Sequence, residues 1–403
     1  MTGAGYEERG RARHRHLAAS LDRDVAHWVE ATRRSPLLEK HHSQVVCLAG
    51  MLDACRRDLG ELPDDESRER ILDLHHVWDF FRSKLILRCL PQYQAFLDTA
   101  DELAWACYEP AWPADGPAAR PVPPLLFLNR AEAPFALARG SDYKAFLPSG
   151  VRTHTGEEAA QQLPFPIIGV PWYQTEHLPG LLAVAHEVGH HVEDDLGLTG
   201  TLRDRLHTSG LDAGRLIIWD GWLGEVFADV CACLACGPAY TDTLADALTA
   251  VGTRRSAAYP PSLLRLRICR TVLGSSGPAP AGEVAAVVEA LTADGYPQLG
   301  GRTLRDALGC AEALELEPPA LNLLNGLDSE IRDPRAALAA AARAFLLDPA
   351  QYDRGNVGAR VCREVLARRP VGLRSAEAAA DDGARQAGAA AGHALAALLA
   401  GAE

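Results

Sequence analysis

Leu181-Leu182-Ala183-Val184-Ala185-His186-Glu187-Val188-Gly189-His190-His191-Val192 is the stretch on which the reading of this chain turns. Leu181, Val184, Val188 and Val192 recur at three- and four-residue spacing, the apolar stripe of a helix packed on a core. His186 and His190 stand four apart, so they project from one face, about one turn or 5.4 Å of rise apart. Two imidazoles so placed can both reach one Zn²⁺ at about 2.0–2.1 Å. Glu187 adjoins the first of them and is placed to take a proton from water at such a metal. Pro179 lies just upstream and suits the first turn of the helix, where its missing N–H has no partner to lose.

A catalytic zinc needs a third protein ligand and one open position. Trp222-Leu223-Gly224-Glu225-Val226-Phe227-Ala228-Asp229-Val230 offers it. Val226, Phe227 and Val230 give this segment an apolar side, and Glu225 and Asp229, four apart, share a face. One carboxylate can ligate zinc. The other can accept the second N–H of a ligating histidine and fix its tautomer. Glu225 sits among Trp222, Leu223, Val226 and Phe227, poor company for a merely solvated acid.

These two segments together resemble the gluzincin branch of zinc metallopeptidases, in which an HExxH helix is followed by a helix bearing Glu-x-x-x-Asp. The resemblance spans about residues 120–275. It implies a zincin-like core with a small sheet, one Zn²⁺ per chain held by His186, His190 and Glu225, and Asp229 orienting the first histidine. It also implies that Glu187 acts as general base in the hydrolysis of a peptide or protein substrate. An edge strand that binds substrate in extended form precedes the HExxH helix in that family, and Phe165 to Val170 stands in the matching place.

Tyr259-Pro260-Pro261-Ser262-Leu263-Leu264-Arg265 is similar to a His-Pro-Pro segment followed by Arg in gluzincin-like bacterial proteins, with Tyr259 in place of the histidine. Tyr259 or Arg265 is a candidate to stabilise an oxyanion; a plain turn before a helix is the competing reading. Tyr173 and His207 are further candidates for that role. His191 points about 100° away from His190 and reads as packing or rim. Cys231, Cys233 and Cys236 read as small core residues, and His41-His42 and His75-His76 as helix surface or caps.

The composition narrows the classes. Forty Lys and Arg against 53 Asp and Glu leave a net charge of −13, which argues against a nucleic-acid surface. The only basic run, Arg9 to His16, reads as a solvated terminus. No apolar stretch is long enough to span a membrane, no secretory signal is visible at the start, and ten scattered cysteines fit reduced thiols. The expectation is a cytoplasmic protein.

Along the chain, apolar stripes predict four helices in residues 1–110, an N-terminal bundle. Glu109 to Pro124 reads as a linker and Pro278 to Glu283 as a second boundary. Between them, residues 120–275 form the catalytic core, with strands at Leu125–Leu128 and Phe165–Pro171; the prolines of the second favour a sheet edge. Residues 280–403 read as a helical region ending in an Ala-rich helix from about Ser375. The fold class is α+β, predominantly helical. The helical flanks are candidate surfaces for a protein partner. The alternative to a peptidase is a non-catalytic regulatory or binding protein that retains the zinc site.

Overall fold

The strand Leu125–Asn129 (β1) is buried at every position, as is Ile167–Pro171 (β3). Continuous burial explains why neither shows the alternation of a half-exposed strand. In the computed structural model these two pair in parallel, Leu125 opposite Ile167 and Phe127 opposite Gly169. The short strand Phe135–Leu137 (β2) pairs antiparallel with β3 on its other side. The sheet order is therefore β1-β3-β2. The structure describes residues 3–59, 64–113, 121–143, 146, 162–251, 259–274, 282–374 and 378–399.

The expected edge strand is thus the central one. Its prolines do not forbid this, because they stand at its two ends. Pro166 precedes the strand and gives its carbonyl to Leu125 N at 3.0 Å, while Pro171 closes it, so no mid-ladder donor is missing. Gly169 makes room for the neighbour that was not foreseen: a Cβ there would collide with the Phe135 ring.

The remainder is helical: α1 (Gly3–Arg34), α2 (His42–Leu59), α3 (Asp64–Ile86) and α4 (Pro91–Tyr108) before the sheet, then α5 (Ala183–Asp195), α6 (Thr199–His207), α7 (Ala213–Val251) and α8 (Ser262–Val272). Beyond them come α9 (Glu283–Thr292), α10 (Leu304–Leu308), α11 (Glu317–Leu324), α12 (Pro334–Leu347), α13 (Pro349–Arg354), α14 (Val357–Arg368) and α15 (Ala378–Leu399). The predominantly helical α+β class is what the sequence predicts. Pro179 opens a 3₁₀ turn, Leu178–Leu182, that leads into α5. The linker and boundary expected at Glu109–Pro124 and Pro278–Glu283, and the helix start near Ser375, fall partly or wholly outside the described residues.

The sheet separates two apolar clusters. Leu125, Phe127 and Ile167 point into one, with residues of α1, α2, α3 and α15. Leu126, Leu128, Ile168 and Val170 point into the other, with α4, α5, α7, α8 and α12. The four helices expected in the first 110 residues are present, but α4 belongs to the second cluster while α1–α3 belong to the first. The place beside α2 is taken by α15, whose Gly388 and Gly392 lie against the backbone oxygens of Cys47 and Met51. That contact is closer than any residue with a Cβ allows.

His41 and His42 are corrected from surface to interior: both are buried. His41 lies between Gln44 Oε1 at 2.7 Å and Asp101 Oδ2 at 3.2 Å, and Asp101 is itself gripped by Arg88 through two bonds of 2.9 Å. His42 shares a contact with Thr32 Oγ1 at 3.0 Å. Asp101 and Thr32 come from other helices, which helical periodicity cannot foresee. All ten cysteines are free thiols, nine of them buried. No helix among the described residues is long and apolar enough to cross a membrane.

Candidate metal centre

Gly189 decides how α5 meets α7. A Cβ on it would stand 2.8 Å from Ala228 Cα, so only glycine lets the two backbones come this near. The helices cross antiparallel there: His186 faces Asp229, and four residues on, His190 faces Glu225. The two i,i+4 pairs read from the sequence are thereby brought face to face.

Ligand atoms converge between them. His186 Nε2 is 3.3 Å from Glu225 Oε2, and His190 Nε2 is 3.6 Å from Glu225 Oε1. The ligating atoms of all three residues lie within 4.8 Å of one another. Tetrahedral ligands about 2.0–2.2 Å from a zinc stand about 3.3–3.6 Å apart, and both histidine–Glu225 spacings are in that range. Glu225 Oε2 adds an independent sign. It is buried and, at 3.3 Å from the imidazole, makes no hydrogen bond, an arrangement a cation would satisfy. The centre opens on one side: the His190 side chain is 23% exposed and Asp229 fully buried.

Asp229 anchors the buried side. Its Oδ1 accepts from His186 Nδ1 at 3.0 Å, Tyr240 Oη at 2.7 Å and Arg265 Nη2 at 2.7 Å; its Oδ2 accepts from Arg265 Nε at 2.8 Å. Burial works to raise this carboxyl, but the bonds from Arg265 and His186 hold it well below the usual carboxylate range. With Asp229 on Nδ1, His186 turns Nε2 toward Glu225 and His190.

The charges in the centre are strongly coupled. Burial pulls His186 down, yet the carboxylates of Asp229 and Glu225 on either side of its ring hold it up at about 10. His190 is lowered to about 4, by burial and then by the neighbouring His186 charge. Glu187 is buried beside the ligands, and burial, with Glu225 adding to it, pushes its carboxyl up to about 7 against the pull of His186. A cation in the centre would draw Glu187 down again and keep it ionised.

Tyr259 stands at the mouth, half exposed, its phenol raised by the charge of Glu225 first and by partial burial second. Arg265 is behind the centre, the Nε/Nη2 edge of its guanidinium paired with the two oxygens of Asp229 and Nη2 still 3.9 Å from Glu225. Tyr173 is exposed and donates to Glu132 O at 2.6 Å, and His207 is exposed at the end of α6. His191 is fully buried, 3.3 Å from Ile167 O under the sheet, a packing residue as expected. The sequence reading missed Tyr240 altogether. It is buried, with its hydroxyl on Asp229 and 3.3 Å from His186 Nδ1. Its distance from the motif hides it, and the neighbouring Gly237-Pro238 is the only signal that the chain bends there.

Set against known protein families, curated proteins and solved structures, the chain has no match.

Proposed function

We propose that the chain is a zinc-dependent hydrolase that cleaves peptide bonds, with the zincin-like core of the gluzincins and His186, His190 and Glu225 as metal ligands. The observation that carries the reading is the convergence of three ligand atoms beside a buried acid, Glu187, that is not one of them. A structural zinc site uses four protein ligands and has no need of such a neighbour. Zinc held there would supply Lewis acidity to a scissile carbonyl and acidify water.

The protein's own groups do the rest. Glu187 accepts a proton from water entering on the exposed His190 side and returns it to the leaving amine. Asp229 holds His186 in the tautomer that presents Nε2. Tyr259, at the mouth, is the group available to donate to a developing oxyanion, since Arg265 is engaged by Asp229.

Hydrolysis of a mixed peptide pool by zinc-loaded protein tests this. Glu187→Gln should keep zinc and lose about 10²–10⁴-fold in turnover, because glutamine cannot accept the proton. Wild-type turnover in Glu187→Gln would place the chemistry elsewhere, and loss of zinc would make Glu187 a ligand.

A further inference from the structure

Asp229 and Tyr240 are eleven residues apart on what begins as one helix. On an unbroken helix their Cα atoms would be about 16.5 Å apart along the axis, a gap that no tyrosine and aspartate together can span. Yet Tyr240 Oη donates to Asp229 Oδ1 at 2.7 Å. What closes the gap is the break in α7 at Gly237, where φ is 62° and ψ −152°. That conformation favours glycine, and a Cβ there would also collide with Ala313 O. Pro238 follows, without the N–H that a continuing helix would use. The chain turns back and lays Tyr240 over the carboxylate.

We propose that Tyr240 is a positioning residue for the metal centre, an inference that rests on the zinc reading above. Two effects follow from its hydroxyl. The proton of Tyr240 adds a further donor to Asp229 Oδ1, the oxygen that faces His186 Nδ1, and so helps to hold the carboxylate on that imidazole. The phenol oxygen, its own proton committed to Asp229, presents only lone pairs to His186 Nδ1 at 3.3 Å. Nδ1 thus faces acceptors alone, Asp229 Oδ1 and Tyr240 Oη, and must carry the hydrogen. That leaves the Nε2 lone pair for the cation. Arg265 cannot do this, because it is a donor without acceptor capacity.

The test compares zinc affinity, by competition with a chromogenic chelator, in wild type, Tyr240→Phe and Tyr296→Phe. Tyr296 is the control: it is buried in the same apolar cluster, and its hydroxyl donates to Leu291 O at 2.8 Å, away from the ligands. Tyr240→Phe keeps the ring, so fold and cavity are preserved. It should weaken zinc binding about 10–100-fold, the usual effect of losing a group that supports a ligand. The visible spectrum of the Co²⁺ form should change with it. Tyr296→Phe should bind zinc as wild type does, whatever it loses in thermal stability. Wild-type affinity and an unchanged Co²⁺ spectrum in Tyr240→Phe would overturn the inference while leaving the zinc reading intact. Equal weakening in both variants would overturn it too, by tracing the loss to general destabilisation. A wild-type protein that takes up no zinc would overturn both readings.

Discussion

Asp229 accepts from three side chains at once, His186, Tyr240 and Arg265. Removing it does two separate things. It takes the orienting acceptor from His186, which typically weakens metal binding about 10–100-fold. It also leaves the Arg265 guanidinium buried without its partner, and breaking a buried pair from one side costs about 3–5 kcal/mol. Glu225 differs: it is the proposed third ligand, and one of its oxygens has no hydrogen bond to lose. Glu225→Ala should therefore nearly abolish zinc binding with the smaller loss of metal-free stability, and Asp229→Ala should do the reverse. Zinc competition should rank wild type above Asp229→Ala above Glu225→Ala; urea unfolding of the metal-free proteins should place Asp229→Ala last. Equal zinc affinities in all three would put the third ligand elsewhere. His186/His190 and Glu225/Asp229 are legible in the sequence because helical spacing puts each pair on one face, and Glu187 because it adjoins the first histidine. The partners of Asp229 are not, because Arg265 comes from α8 and Tyr240 from beyond a break that no periodicity describes.

At the scale of elements, the centre is a helix crossing, and Gly189 sets its distance. In Gly189→Ala the new methyl must push α7 away at Ala228. Overpacking of this kind costs about 1–3 kcal/mol, and the displacement falls between the two histidines and Glu225. The expected outcome is a lower melting temperature in the metal-free protein together with weaker zinc binding. A variant that melts lower but binds zinc unchanged would show that the crossing tolerates movement. The two helices of the centre were readable, each from its own stripe. That they cross was implied only by resemblance, since the approach depends on one missing Cβ. The sheet was half readable. β1 and β3 are apolar runs bounded by prolines, but β2 is three half-buried residues, too short to announce itself. The prolines flanking β3 favour an edge, and nothing in so short a β2 counters them.

Over the whole molecule, the sheet divides the cluster around His186, His190 and Glu225 from one built on α1–α3 and α15. The C-terminal helix is legible but its seat is not: the face against α2 (Ala384, Gly388, Gly392, Leu395, Leu399) has helical spacing, yet Ala and Gly fill the other faces too, so no stripe stands out. Buried histidines run through both halves. Burial lowers His41 and His42 at the start of α2, and pushes His191 under the sheet down to about 3. In the unfolded chain each titrates near 6.5, so below that value the unfolded state binds more protons. The contribution of these three histidines should be full above about pH 6.5 and fall as pH drops toward the depressed folded values, while the raised Glu187 and His186 contribute in the opposite sense. Between about pH 7.5 and 5, urea midpoints of metal-free His191→Gln should therefore lose less, or gain more, than those of wild type; identical pH profiles would remove His191 from the account. The most direct measurement is metal content per molecule. Purified wild type should carry about one zinc per chain, and His186→Ala/His190→Ala close to none with the fold retained. Full zinc occupancy in the double variant, or none in wild type supplied with zinc, would contradict the assignment of this centre.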